Sequence, residues 1–255
     1  MNAPDRIDKI IEIPIAGTPY RVVDEDGWRQ LMVMGNDASM HCEMLIRAPD
    51  VMASRYARLM MNALPFPPRL DDILLIGLGG GQQTKFLYRY LPGTRLVTVE
   101  IDAAVVDISR TYFMVPPDDE RLTVVVDDGG RHVAAHPLCC DVLLCDGYDH
   151  TFNVPDSLAG EEFYRACERA LRPGGVMALN LDRRSDAWRA AHLRLLRRIF
   201  DSHLELPVNE NQSILLLFKR DREQDYPALL RRAKRLDELL DLDLASFIGS
   251  LEHRR

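Results

Sequence analysis

A chain of 255 residues, 47% hydrophobic and 28% charged, has the make-up of an ordinary globular protein, long enough for one large domain and a small companion. Its formal net charge of -7 argues against nucleic acid as the main partner, because phosphate binding needs a basic face. The same charge permits a cationic substrate without demonstrating one.

In chain order, MNAPDRIDKI lacks a basic stretch followed by an apolar one and does not read as a signal peptide. The run from Ile10 to Gly35 is β-prone and is broken at Ala16–Pro19 and at Asp24–Gly27, which predicts a small antiparallel hairpin sheet. Asp50–Leu64 then has helical apolar spacing, and the proline-rich Pro65–Asp72 ends it. Residues 1–64 are thus expected to form a small N-terminal β unit with one helix.

From Ile73 the pattern alternates. Strands are predicted at Ile73–Gly77, Arg95–Glu100, Leu122–Val126, Asp141–Cys145 and Val176–Asn180. Helices are predicted at Gln82–Tyr90, Ala103–Phe113, Gly130–Ala135, Glu161–Leu171 and Asp186–Phe200, with Arg172–Gly175 as a turn. Strands separated by helices imply an α/β domain with a mostly parallel sheet covered on both faces. Runs around His203–Leu206 and Ile214–Phe218 predict a closing hairpin at one sheet edge, completing a unit of 65–220. The tail, 221–255, has helical periodicity. Its Arg231, Arg232, Lys234 and Arg235 read as a solvated face, and Leu229, Leu230, Leu236, Leu239 and Leu240 as the packed one.

No apolar run is long enough for a bilayer, so a cytoplasmic protein without membrane contact is expected. The five cysteines form no C-x-x-C pair and read as reduced, mostly buried thiols. The seven His residues show no ligand spacing, so no metal is expected.

The chemistry is concentrated at the predicted strand ends. Gly77, Gly79, Gly80 and Gly81 follow a strand and open a helix, where missing Cβ atoms let a ligand approach the backbone. Glu100 ends the next strand, where a carboxylate can accept hydrogen bonds from both ribose hydroxyls. This unit alone does not choose between a nicotinamide cofactor and an adenosyl sulfonium. Asp127, Asp128 and Gly129 follow the third strand, where a carboxylate can accept from an adenine amino group. Asp146 and Asp149 follow the fourth. In open α/β sheets ligands bind at the carboxyl ends of the strands, so these acids converge on one crevice.

The segments ILLIGLGGG, VTVEID, VVVDDGG, DVLLCDGYDH and EEFYRACERALRPGGVMALNL, in this order and spacing, resemble the spermidine synthase family of polyamine aminopropyltransferases. The likeness spans about Tyr20 to Lys219. It implies a Rossmann-like class I methyltransferase fold, with a mostly parallel seven-stranded sheet behind a small N-terminal β domain. It implies transfer of an aminopropyl group from decarboxylated S-adenosylmethionine to a polyamine such as putrescine, without a metal, by a homodimer. By resemblance Gly77, Gly79, Gly81 and Glu100 hold the donor, with Glu100 on the ribose and Asp128 and Gly129 at the adenine. Asp146 and Asp149 match the family's D-x-x-D, the second being the proton acceptor, and Tyr56, Asp146 and Asp149 meet the substrate. The chain departs from the family at Gly80, where the glycine loop commonly carries an Asp. Two other readings therefore stay open. One is methyl transfer from intact S-adenosylmethionine to an unknown small molecule, since losing that acid relieves repulsion against the methionine carboxylate. The other is a non-catalytic adenosyl-binding protein.

Overall fold

The computed structural model describes residues 11–34, 39–148, 154–182, 185–219 and 225–252. Strands β1 (Ile11–Pro14), β2 (Tyr20–Glu25), β3 (Trp28–Val33) and β4 (Ser39–Leu45) form an antiparallel sheet in that order. Asp26 and Gly27 join β2 to β3 with φ of 50° and 81°, the left-handed pair that a two-residue hairpin turn requires. Tyr20, Val22, Leu31, Val33 and Met44 are buried on one face, against Val105, Ile108 and Phe113 of helix α3 (Ala103–Tyr112) and its end. The predicted helix at 50–64 is shorter than its apolar spacing suggested. Met52 is buried in irregular backbone, α1 spans Arg55–Met60, and a 3-10 turn follows at Met61–Ala63.

The second sheet contains β5 (Asp72–Ile76), β6 (Arg95–Glu100), β7 (Leu122–Val126), β8 (Cys140–Cys145), β9 (Leu171–Asp182), β10 (Ser202–Pro207) and β11 (Gln212–Phe218). Its order is β10-β11-β9-β8-β5-β6-β7. The five strands β5 to β9 run parallel, while β11 and β10 close the edge antiparallel, as the hairpin reading expected. Successive residues of β5 feed two different cores. Ile73 and Leu75 join the layer with helix α2 (Gln82–Tyr90), and Leu74 and Ile76 join the layer with α5 (Glu161–Ala170). Such two-sided burial is why these strands read as continuous apolar runs. The remaining helices are α4 (Gly129–Ala135), α6 (Asp186–Leu196), α7 (Tyr226–Leu240) and α8 (Leu244–Glu252). This is the Rossmann-like methyltransferase architecture with a small antiparallel sheet attached. From β5 the chain steps outward to β6 and β7, then returns to β8 on the other side of β5. The crevice therefore opens between the carboxyl ends of β5 and β8.

Local expectations are refined. Arg172–Gly175 lies within the bounds of β9, as an irregularity where the pairing with β8 passes from Leu171 to Val176 and Gly174 takes a φ of 81°. Arg172 there meets Asp72 at 2.6 Å and Asp141 at 3.3 Å. The helical periodicity of the C-terminal tail resolves into two helices, α7 and α8. Asp241 and Asp243 adopt left-handed φ of 52° and 58°, and the Asp237 carboxylate accepts from the backbone N of Leu244 and Ala245, capping α8. Leu229 and Leu240 are buried, but Leu239 is 53% exposed, on the outward side of α7. Arg232 belongs to the supposed solvated face, yet it donates to the carbonyls of Pro65 and Phe66 and ties the tail to the domain. No helix among the described residues is long and apolar enough to cross a membrane.

Candidate functional site

A cavity of about 210 Å³ opens where the crevice was expected. Its wall includes Gly77, Leu78, Gly79 and Gly80 after β5, Glu100 at the end of β6, and Asp146 and Tyr148 after β8. Tyr56 of α1 and His41 and Cys42 of β4 close it from the small sheet and its helix. Asn180 and Asp182 from β9 and Gln212 from β11 complete the far side.

The glycine loop is shaped by its neighbours. A Cβ on Gly77, at φ 93°, would lie 2.3 Å from the backbone oxygen of Asp146, so the β5 and β8 loops touch only because position 77 is glycine. At Gly80 the obstacle is side chain. A Cβ there would lie 2.8 Å from Cys42 Sγ and 2.9 Å from Phe113 Cδ1. An acid side chain at position 80 would have to displace Cys42 and Phe113, which occupy that space.

Glu100 is 8% exposed and is held by the loop it faces. Its Oε2 accepts from Leu78 N at 2.9 Å and its Oε1 from Asp102 N at 3.0 Å. These bonds leave the carboxylate acceptor capacity for a ligand hydroxyl. Burial raises the Glu100 pKa, and the backbone N–H groups of Leu78, Asp102 and Gly79 oppose it. Asp102 in turn caps α3 through Ala104 N at 2.8 Å and accepts from the Tyr20 hydroxyl of β2 at 2.8 Å.

Asp146 is the centre of the other half. Asn180 Nδ2 donates to its Oδ1 at 2.8 Å, and the Tyr56 hydroxyl donates to the same carboxylate. Gln212 Nε2 donates to Asn180 Oδ1 at 2.9 Å, which fixes the amide so that its nitrogen faces Asp146. Burial pushes the Asp146 carboxyl above the ordinary range. The two hydrogen bonds oppose the shift, and Asp182 adds to it. Tyr148 is pushed well above the usual phenol range by burial and by the charges of Asp182 and Asp146. Among the described residues the wall carries three carboxylates, Glu100, Asp146 and Asp182, and no Lys or Arg.

Of the expected site residues, Tyr56, Gly77, Gly79, Glu100 and Asp146 meet on this wall. Gly81 stands just behind it as the residue capping α2, at φ 67°. Asp128 and Gly129 are not among the wall residues. The Asp128 carboxylate accepts from Arg131 N at 2.8 Å and caps α4, and Gly129 is buried against Ile76. Asp149 lies outside the described residues. Asn180, Asp182, Tyr148 and Gln212 were not singled out from sequence. A signal existed for the first two. They are spaced by two at the carboxyl end of a parallel strand, which puts both on one face. Gln212 reaches the site only through the antiparallel register that pairs it with Asp182, which no local motif announces. Among the described residues no group of three or more His, Cys, Asp or Glu is arranged to hold a metal ion.

Residues 54–184 match the family defined by the spermine/spermidine synthase domain. The polyamine aminopropyltransferase of Chromobacterium violaceum is 28% identical over 240 residues, covering 93% of this chain and 91% of that one. Human Methyltransferase-like protein 13, solved in complex with SAH, superposes with a TM-score of 0.62 at 26% identity, covering 72% of this chain and 89% of that one. A probable spermidine synthase from Corynebacterium glutamicum superposes with a TM-score of 0.65 at 20% identity, covering 87% of this chain and 88% of that one, a likeness of fold. With the domain match taking in half of its residues, the chain belongs to the spermine/spermidine synthase family.

Proposed function

We propose that this protein moves an aminopropyl group from decarboxylated S-adenosylmethionine to a polyamine such as putrescine. The observation that carries the reading is the wall itself, with three carboxylates and no Lys or Arg among the described residues. Such a wall favours cations, and both the decarboxylated donor and a polyamine are cations. Intact S-adenosylmethionine adds a carboxylate, which no Lys or Arg on this wall would meet.

The reaction needs an amine that has lost its proton. The nitrogen lone pair attacks the propyl carbon next to sulfur, the carbon–sulfur bond breaks, and methylthioadenosine leaves. The proton released from the amine goes to a carboxylate. By family resemblance that acceptor is Asp149, with Asp146 as the first acid of the pair. In this chain Asn180 and Tyr56 orient Asp146, and Glu100 has lone pairs available for the ribose. Catalysis then rests mainly on holding amine and carbon in line.

Methyl transfer is the second reading, favoured by Gly80, since no acid there repels a methionine carboxylate. One titration separates the two. The purified protein is mixed with S-adenosylmethionine, its decarboxylated form and methylthioadenosine, with and without putrescine. Preference for the decarboxylated donor, with methylthioadenosine released only when amine is present, is the expected result. Tighter binding of the intact donor, with no transfer to putrescine, overturns it.

A further inference from the structure

The backbone that carries Asp146 is gripped by more than the glycine loop. Its N–H donates to the carbonyl of Ile76 at 2.9 Å, at the end of β5. The next residue, Gly147, lies directly against a side chain that comes from further along the chain. A Cβ on Gly147 would stand 2.4 Å from Leu158 Cδ1 and 3.3 Å from Ile76 Cγ2.

The same two side chains meet the neighbouring acid motif. A Cβ on Gly129 would stand 2.6 Å from Ile76 Cγ2 and 3.3 Å from Leu158 Cδ2. On Gly130 it would stand 2.5 Å from the backbone oxygen of Ser157. Leu158 ends a 3-10 turn, Asp156–Leu158, whose last N–H donates to the carbonyl of Pro155 at 2.9 Å. The glycines of VVVDDGG and DVLLCDGYDH therefore pack around one turn. None of the three has a left-handed φ, so each stands where a Cβ would collide rather than where the backbone demands glycine. Leu158 and Ile76 are buried, and neither is on the wall of the candidate site. Only about 10 Å³ stays open among Leu158, Gly147 and Asn180, so a shift of any one of them is passed on to the others.

We infer that Leu158 is a positioning residue for transfer: wedged with Ile76 between Gly147 and Gly129, it sets where the end of β8 places Asp146 and Tyr148 on the wall. The inference deepens the aminopropyl-transfer reading and rests on it for its rate measurement. A carboxylate carried off by a fraction of an ångström no longer holds the amine in line with the carbon it attacks. The sequence reading gave Gly129 to the adenine. The packing gives it a second duty, to admit Leu158.

The test uses the whole protein and four variants, Gly147→Ala, Leu158→Ala, the two combined, and Leu158→Met. Transfer to putrescine, methylthioadenosine binding and melting temperature are measured for each. Gly147→Ala is expected to lower kcat about 100-fold and to change methylthioadenosine affinity less than about threefold. Leu158→Ala makes room for the added methyl, so the combined variant should return to within about tenfold of wild type. Leu158→Met, which conserves volume, should stay within about threefold. A merely structural role gives losses that add in the combined variant, and losses in kcat that add overturn the proposal, as does Gly147→Ala with wild-type kcat. Where Gly147→Ala does not fold, Leu158→Ala is compared with Leu158→Met. A kcat about tenfold lower for the alanine is then expected, and equal values overturn the proposal. Hydrogen exchange of the peptide carrying Asp146, without ligand, is read in parallel. Faster exchange in Gly147→Ala, reversed by the second substitution, is expected, and unchanged exchange overturns the placement. A wild-type protein that transfers nothing to putrescine fails the aminopropyl reading, while exchange still decides the role of Leu158.

Discussion

Two sets of carboxylates sit at opposite ends of the same parallel sheet and are treated in opposite ways. At the amino ends, Asp72 meets Arg95 at 2.7 Å and Arg172 at 2.6 Å, and Asp141 accepts from the backbone N of Asp71 and Asp72. At the carboxyl ends, Glu100, Asp146 and Asp182 face a cavity with no Lys or Arg among its described residues. Burial works to raise the Asp72 pKa, but the hydrogen bonds from Arg95 and Arg172 win and hold it below the ordinary range. Burial wins at Glu100 and Asp146, and both are raised. The first set holds strands together. The second is costly to ionise until a cation arrives, which is the signature of acids kept for a ligand.

The contrast has a pH consequence of opposite sign at each end. Asp72 has a depressed folded pKa. Its stabilisation is fully present above the unfolded value of about 3.9 and is lost as pH falls through the folded one. Asp146 has a raised folded pKa. The fold prefers it protonated, and that preference disappears as pH rises through the folded value.

The largest effect is expected from Asp146→Asn, which should cut aminopropyl transfer by about 100-fold or more. Its melting temperature at pH 7.5 should not fall, because an asparagine oxygen still accepts from Asn180, its amide group can donate to the Tyr56 oxygen, and it carries no buried charge. A lower melting temperature with intact turnover would place Asp146 with the structural set. Asp72→Asn should do the reverse. Urea unfolding at pH 7 is expected to show a loss of about 2 kcal/mol, the scale of a hydrogen bond to a charged group, with the gap to wild type closing toward pH 3. Transfer should be spared. Glu100→Gln is expected to weaken methylthioadenosine binding by about tenfold in a calorimetric titration, with a smaller change in turnover at saturation. Equal affinity for both proteins would remove Glu100 from the ligand. The smallest effect is expected at Arg131→Ala. Arg131 pairs with Asp127 but its side chain is 74% exposed, and no change in unfolding midpoint should be measurable.

The parallel sheet was legible because burial on both faces leaves continuous apolar runs, and helices between them carry clear caps such as Asp102 and Asp128. The hairpin at Asp26–Gly27 was legible for a different reason, since few residues other than glycine tolerate its backbone. The first half of the site was readable because Gly77, Glu100 and Asp146 each terminate a strand. The other half was not, because Asn180 and Gln212 become partners only when β11 pairs antiparallel with β9. The break in the C-terminal tail was hidden in the same way. The Asp237 side chain, which caps α8, reads from sequence as one more surface acid.

The hydrogen bonds from Tyr20 to Asp102, from Asp102 N to Glu100 and from Leu78 N to Glu100 form one continuous path from the small sheet to the glycine loop. If a ligand held by Glu100 strengthens this path, docking of the small sheet strengthens the ligand's hold by the same free energy. Local opening of the N-terminal strands and release of the ligand would then be linked. The small sheet would then act as a thermodynamic latch on the Glu100 side of the cavity.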